Sequence, residues 1–291
     1  MVTPTSAALW WDRGSRIPLI VGGRQRHVFC RVGGSGSPLT MLHGYPTSSL
    51  DWAPLWDKLT AHHRVIAIDF LGYGRSDKPQ RHTYRLDEQV EVVLGIWHHL
   101  GIDEGAIVAY DYGAIVAQLL LTHHSERLTR VVMMNAGLIP EHYHPRLIQR
   151  IAQIPILGAV VFRLLNERLF TRAWAEVFGP DHPLSAELAH EHWLAMSHAG
   201  RAGDTQRRLL SYIPERKQRA SELDTALDTR VPLSFLWGAA DPVSGPVASA
   251  LAKRLPKIDL VSYPGVGHYP HLEVPDRVAA DILTRSAQSP T

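Results

Sequence analysis

The sequence predicts an α/β fold: a mostly parallel, twisted sheet with helices on both faces and a helical cap inserted between two stretches of that sheet. Three observations predict it. Short apolar runs alternate with segments of helical periodicity from residue 39 to residue 135. The rhythm breaks over residues 137–228, where Pro and Gly interrupt helix-forming sequence and no strand pattern occurs. It resumes at Val231. These breaks divide the chain into a first core segment (1–136), a cap (137–228) and a second core segment (229–291). A chain of 291 residues suffices for one such domain with its insertion.

Taken in order, Ile17–Val21 and His27–Val32 flank Gly22-Gly23-Arg24-Gln25 and read as a hairpin. The glycine-rich stretch Gly33–Pro38 is followed by a strand, Leu39–Leu42, and not by a helix. It therefore lacks the helix N-terminus that a phosphate would need and reads as a plain loop. Arg64–Asp69 is a short apolar run of the kind buried on both faces. Leu86–Leu100 carries Leu86, Val90, Val93, Leu94 and Trp97 at helical spacing. Ala106–Tyr110 is another buried strand, Ala114–Leu121 an apolar helix and Thr129–Met134 a further strand. After the cap, Val231–Gly238 is a strand, Val247–Leu255 a helix and Ile258–Tyr263 the last strand. A closing helix starts near Pro275.

Composition narrows the function. Hydrophobic residues make up 45% of the chain and charged residues 20%, as in ordinary globular proteins. The 30 Lys and Arg against 28 Asp and Glu leave a formal charge of +2, which gives no reason to expect a nucleic-acid or membrane partner. The single cysteine, Cys30, cannot form an internal disulfide and reads as a strand residue. No run approaches the ~18 apolar residues needed to cross a bilayer. The N-terminus lacks a basic region followed by an apolar core, so a cytoplasmic location is expected. Trp10-Trp11 reads as an aromatic clamp on the domain. The pairs His62-His63, His98-His99 and His123-His124 do not share a helix face and have no acidic or cysteine cluster beside them, so no metal is expected. His190-Glu191-His192 reads as a surface helix segment, and Arg207-Arg208 and Arg216-Lys217 as exposed cap charges.

Four features fall just beyond strand ends, where open α/β sheets place their sites. The first is Ala109-Tyr110-Asp111-Tyr112-Gly113, between a buried strand and an apolar helix. It has the shape of a nucleophile elbow, the strand–turn–helix usually written Gly-x-Ser-x-Gly. Small flanking residues are needed there because the turn is strained and the helix packs close. Ala109 and Gly113 flank, and Asp111 stands where serine would be. Alone, Asp111 reads equally well as a helix cap. The second feature is Leu42-His43-Gly44-Tyr45-Pro46. Beside such an elbow, this loop lends one backbone N–H to an oxyanion hole and the residue after the nucleophile lends the other, which assigns the amides of Tyr45 and Tyr112. Tyr45-Pro46 is a candidate cis bond, and His43 and Pro46 are candidate substrate contacts. The third is Asp241, just past a strand end, where an acid can orient a histidine. The fourth is His268 in Gly265-Val266-Gly267-His268-Tyr269-Pro270, the only one of 17 histidines in such a context. The chain order Asp111, Asp241, His268 is the nucleophile–acid–base order of α/β hydrolases, so the fold is read as an α/β-hydrolase fold.

His43–Ser49 with Trp52, and Asp69–Pro79, resemble the epoxide hydrolase and haloalkane dehalogenase group of that superfamily. Within it, Asp111-Tyr112-Gly113 with Ile115–Gln118, Val177–Pro180 and His268-Tyr269-Pro270 are most similar to the branch of the mesoderm-specific transcript protein and its bacterial relatives. The resemblance covers nearly the whole chain. It implies a covalent mechanism with no metal or organic cofactor. Asp111 would attack an sp³ carbon and form an alkyl ester, which serine could form only as an inert ether. His268, oriented by Asp241, would activate the water that cleaves the ester, and the Tyr45 and Tyr112 amides would hold the oxyanion.

The leaving group separates the enzymatic readings. An epoxide oxygen needs a proton or hydrogen-bond donor, supplied in epoxide hydrolases by cap tyrosines. Leu209–Arg216 resembles the segment that carries one, which makes Tyr212 the first candidate and Tyr143 the second. Haloalkane dehalogenases commonly hold the halide with Trp after the nucleophile plus Asn after His-Gly or a cap Trp. Here the first two positions are Tyr112 and Tyr45, so only cap Trp174 or Trp193 could substitute. The expectation is therefore epoxide opening to a diol, with haloalkane hydrolysis as the alternative. A non-catalytic binding member would show a broken triad, and this triad is intact. The expected partners are a small apolar electrophile and water, and the expected state is monomer or homodimer.

Overall fold

The computed structural model describes residues 5–142, 146–198, 202–255 and 257–286. Eight strands form one sheet in the order β1-β2-β4-β3-β5-β6-β7-β8. They are β1 (Ser15–Val21), β2 (Arg24–Gly33), β3 (Pro38–Leu42), β4 (Arg64–Ile68), β5 (Gly105–Tyr110), β6 (Leu128–Met134), β7 (Leu233–Gly238) and β8 (Asp259–Tyr263). β1 and β2 form the expected antiparallel hairpin, and β2 joins β4 antiparallel. Every remaining pairing is parallel. The pleat sends Ile107 and Ala109 of β5 to the core on one face, and Val108 and Tyr110 to the core on the other. That double burial is why the parallel strands read as unbroken apolar runs.

The helices are α1 (Ala7–Asp12), α2 (Trp56–Thr60), α3 (Leu86–His99), α4 (Tyr112–His123), α5 (Leu147–Ala152), α6 (Pro155–Arg163), α7 (Glu167–Ala175), α8 (Ala186–Ser197), α9 (Ala202–Leu209), α10 (Tyr212–Gln218), α11 (Ala220–Thr225), α12 (Gly245–Arg254), α13 (Pro270–Glu273) and α14 (Pro275–Ser286). Trp97 of α3 donates from Nε1 to Thr40 Oγ1 at 2.8 Å, which fixes that helix on β3. Between β6 and β7 the described residues contain helices and turns and no strand. Asn166 and Ser185 cap α7 and α8 by accepting from Leu169 N and Leu188 N.

Two readings of surface charge are corrected. His192 is 1% exposed on the inner side of α8, with Nδ1 3.4 Å from buried Asp51 Oδ1. Its neighbour His190 faces out and pairs with Glu167 at 2.7 Å, so a sequence that looks uniformly polar splits between two faces of one helix. Arg216 is also buried, and its guanidinium donates to the Gly137 carbonyl. A long charged side chain there secures the chain where it leaves β6. Lys217 beside it is exposed, while Arg207 and Arg208 are half-buried. Trp10 is buried edge-on against Trp56, and Arg31 lies over both rings at 4.0 and 4.4 Å. Cys30 is buried in β2, and burial pushes its thiol far above the ordinary range.

Candidate active site

β5 ends at Tyr110 and α4 begins at Tyr112, so Asp111 alone makes the turn. It does so at φ 48° and ψ −117°, a sparsely populated conformation that costs about 1–3 kcal/mol and persists where its surroundings enforce it. Gly113 is required by close approach. A Cβ there would lie 2.5 Å from the Leu42 carbonyl oxygen and 2.6 Å from that of His43. Asp111 occupies the N-cap position, yet its carboxylate makes no capping bond. Instead Oδ1 accepts the Tyr45 N–H at 2.9 Å, and Oδ2 faces His268 Nε2 at 3.3 Å. As the first residue of α4, Tyr112 presents an amide that the helix itself leaves without an acceptor.

His268 stands on the loop after β8. Its backbone N–H donates to the Val177 carbonyl at 2.8 Å, which ties this loop to the segment after α7. Its Nδ1 lies 2.8 Å from Asp241 Oδ2. That oxygen also accepts from Asn135 Nδ2 at 2.8 Å and from the Ser244 hydroxyl, and Oδ1 accepts Val243 N–H at 2.7 Å. Asn135 was not foreseen. It sits just past β6 and locks Asp241 from below, also accepting the Gly238 N–H at 2.8 Å.

The electrostatics follow from these partners. Burial opposes the Asp241 anion, but His268 and the side-chain donors of Asn135 and Ser244 outweigh it and hold the carboxyl down at about 2. Burial likewise opposes the imidazolium of His268. The carboxylates of Asp241 and Asp111 overcome that penalty and raise it to about 10. The arrangement therefore favours the protonated form of His268.

His43 does not face substrate space. It is fully buried, its Nε2 accepts the Phe70 N–H at 3.1 Å, and its Nδ1–H donates to Gly44 O at 2.9 Å. Burial lowers it to about 4, so it is neutral, and it clamps the oxyanion loop to the end of β4. His43→Leu would orphan the Phe70 N–H and leave the Gly44 carbonyl with the Thr47 hydroxyl alone. Equilibrium urea unfolding should show a loss of about 1–3 kcal/mol with an unchanged m-value.

A cavity of about 580 Å³ opens over the elbow. Asp111, His268, Tyr45, Pro46, Trp174 and Tyr269 line it, together with apolar side chains of α5, α6 and α7. Trp193 is half-buried beside Phe170, at 5.9 Å between ring centroids, and does not line it. Nor does Tyr212, whose buried ring packs on Tyr112 at 5.0 Å and on Tyr45 at 6.4 Å, below both oxyanion loops. Tyr143 lies outside the described residues. Among the described residues no cluster of three metal-ligating side chains occurs.

Two further features of the site escaped the sequence. Tyr269, next to His268, lines the cavity and stacks on Phe178 at 5.2 Å. Its position one residue after the histidine was the available signal. Tyr110, the residue before Asp111, packs against His268 at 5.7 Å, Tyr269 at 5.2 Å and His271 at 4.4 Å. It thereby walls the triad off from a buried polar cluster of Asp51, His192 and His271. Burial disfavours the charged form of all three: it pushes the Asp51 carboxyl well above its usual range, lowers His192 to about 3 and takes His271 well below the imidazole range.

Comparison with known proteins agrees with this architecture. A solved structure, haloalkane dehalogenase DbeA from Bradyrhizobium elkani, matches with a TM-score of 0.78 at 23% identity, covering 94% of this chain and 98% of that one. The mesoderm-specific transcript protein of Mus musculus is 37% identical over 262 residues, 84% of this chain and 77% of its own. The putative hydrolase LipZ of Mycobacterium tuberculosis is 35% identical over 291 residues, 97% of this chain and 99% of its own. A family model described as the alpha/beta hydrolase family matches residues 41–281. With that match, an eight-stranded sheet and an elbow between β5 and α4, the chain belongs to the alpha/beta hydrolase family.

Proposed function

We propose that this hydrolase uses Asp111 as a nucleophile and opens epoxides to diols, with residues 137–228 as the cap that shapes the pocket. The observation that carries this reading is the split duty of the Asp111 carboxylate. Oδ1 is held by the Tyr45 amide, while Oδ2 faces the cavity and His268. In a serine enzyme the oxyanion hole would hold an oxygen of the substrate. Here it would hold the oxygen that becomes the ester carbonyl of the enzyme itself.

Oδ2 attacks an epoxide carbon, the C–O bond breaks, and the alkoxide takes a proton from Tyr269. A proton from the His268 imidazolium, carried through water in the cavity, restores the phenol and leaves His268 neutral. Loss of the Asp111 charge in the ester favours this release. Neutral His268 then takes a proton from water, and the hydroxide adds to the Asp111 carboxyl carbon. The Tyr45 and Tyr112 amides hold Oδ1 as it becomes anionic. Collapse expels the diol, whose oxygen takes the proton of the newly formed carboxylic acid. The imidazolium and the Asp111 carboxylate are both restored, so one epoxide and one water give one diol.

One observation favours haloalkane hydrolysis as a second reading. Trp174 lines the cavity and carries a buried indole N–H of the kind a halide site uses. The two readings differ in proton balance: haloalkane hydrolysis releases one proton to solvent per turnover, whereas epoxide opening to a diol releases none.

Intact-mass measurement on His268→Gln tests both. Incubated with an epoxide panel, this variant should accumulate an adduct of the whole epoxide mass that is absent from Asp111→Asn. An alkyl adduct with halide release would establish the second reading. A folded variant that gains no mass from either panel would sink both.

A further inference from the structure

The outer face of the helices between β6 and β7 is unusually apolar. Of the twelve exposed large apolar side chains among the described residues, eight fall between positions 147 and 169. α6 shows why. Gly158 and Phe162 are the side turned to the protein, and Gly158 packs so close that a Cβ would meet the Ala152 carbonyl oxygen at 2.5 Å. Ile156, Val160 and Leu164, spaced by four, form a ridge on the opposite side, with Leu157 beside them. Ile156 is 81% exposed, Leu164 66%, and Leu147 on neighbouring α5 72%. Contiguous apolar surface on this scale marks a contact site in folded proteins.

The charges along the ridge segment are predominantly basic, with Arg146 paired to Glu176 beyond it. Residues 146–172 contain Arg146, Arg150, Arg163, Arg168 and Arg172 against a single acid, Glu167. Arg150, Arg163, Arg168 and Arg172 are exposed, and Glu167 is paired with His190 at 2.7 Å. The ridge also continues into the cavity, because Leu147, Ile148 and Leu169 belong to both the exposed face and the cavity lining.

We propose that the α5–α6 face docks on an anionic lipid bilayer, seating the mouth of the cavity at the membrane so that a lipophilic substrate enters from the lipid phase. An apolar ridge flanked by arginines has the chemistry of an interfacial helix: apolar side chains enter the headgroup boundary while guanidinium groups stay among anionic headgroups. A second copy of this chain fits worse, because a symmetric contact through the ridge would set one arginine cluster against its own copy. No described helix is long and apolar enough to cross a membrane, so the contact is peripheral. This surface does not depend on the identity of the nucleophile.

Vesicle flotation tests it. The wild-type protein should float with equimolar phosphatidylglycerol and phosphatidylcholine vesicles in about 0.1 M salt, and not with phosphatidylcholine alone. The double substitution Ile156→Glu with Val160→Glu touches neither the cavity lining nor the triad. It should lower the partition coefficient at least about tenfold while the thermal melting curve stays unchanged. Arg163→Glu with Arg168→Glu should do the same. Equal flotation with both vesicle types would overturn the anionic assignment, and no flotation, or variants that float like wild type, would overturn the docking surface. A wild-type dimer by light scattering that Ile156→Glu dissolves, without vesicle binding, would assign the ridge to a second copy instead.

Discussion

Asp111→Asn should lower kcat by roughly 10⁴- to 10⁶-fold, the range seen when a covalent nucleophile is removed and only binding and the oxyanion hole remain. The fold should survive. Asparagine is among the few residues that tolerate a positive φ, so the 48° backbone of the elbow is retained. Its amide oxygen can still accept the Tyr45 N–H that now bonds Oδ1 at 2.9 Å. What disappears is the anion facing His268. An amide oxygen carries too little charge to displace an alkoxide, and no ester forms. Substrate affinity, read by equilibrium binding, should change little because the cavity walls are untouched. An Asp111→Asn enzyme that turns over near the wild-type rate, its sequence confirmed by mass after the assay, would remove Asp111 from the chemistry.

The same substitution separates catalysis from electrostatics at His268. Two carboxylates together overcome burial to raise that imidazole to about 10. Removing the Asp111 charge leaves only Asp241, and the imidazole should titrate at lower pH. NMR titration of the His268 ring in the two proteins reads this directly. It would also report on the proposed cycle, because an alkyl ester at Asp111 would remove the same charge. On that proposal the imidazolium is held most firmly when the site is empty and would be released when the ester forms, the moment at which a neutral base is needed.

How far the sequence carried the structure depends on what decides each feature. Strands buried on both faces have one environment and read as apolar runs, so β3 to β7 lie within a residue or two of their expected limits, and the half-buried edge strand β8 lies within one. The elbow is legible because sterics restrict its flanks: Gly113 has no room for a Cβ. The triad follows from chain order and strand ends together. The short helices α1 and α2 were missed, having too few turns to show periodicity. Side-chain direction between β6 and β7 was also illegible. Which face of a short helix turns inward is set by tertiary contacts, as His192 and His190 illustrate two positions apart. Tyr212 sits in a helix as its surroundings suggested, yet its ring lies against Tyr112, outside the cavity lining. A balanced net charge of +2 concealed the five arginines between residues 146 and 172, because composition averages over the surface.

Asp241→Asn should cost about 10⁴-fold in kcat, comparable to losing the corresponding acid in other triads. The cause is geometric as well as electrostatic. Oδ2 of Asp241 receives His268 Nδ1 at 2.8 Å, Asn135 Nδ2 at 2.8 Å and the Ser244 hydroxyl, so all the protons point at this atom. An amide nitrogen there would meet the Asn135 amide donor to donor. If it rotates outward to relieve that clash, the remaining oxygen gives His268 a weaker acceptor, and the imidazole loses its preferred tautomer. Stability should shift with pH in a defined sense. The raised His268 contributes stability that is fully present below about 6.5 and is lost as pH rises through about 10. The depressed Asp241 contributes stability present above its ordinary value of 3.8 and lost as pH falls through about 2. Both contributions are therefore complete between about pH 4 and 6.5 in the wild type. In Asp241→Asn the acid-side loss from this pair vanishes, and the alkaline-side loss is smaller and complete at lower pH, because the carboxylate that does most to hold the imidazolium is gone. Urea unfolding across pH 3 to 10 measures both limbs. If the variant's stability profile runs parallel to the wild type across that range, Asp241 and His268 do not form the coupled pair described here.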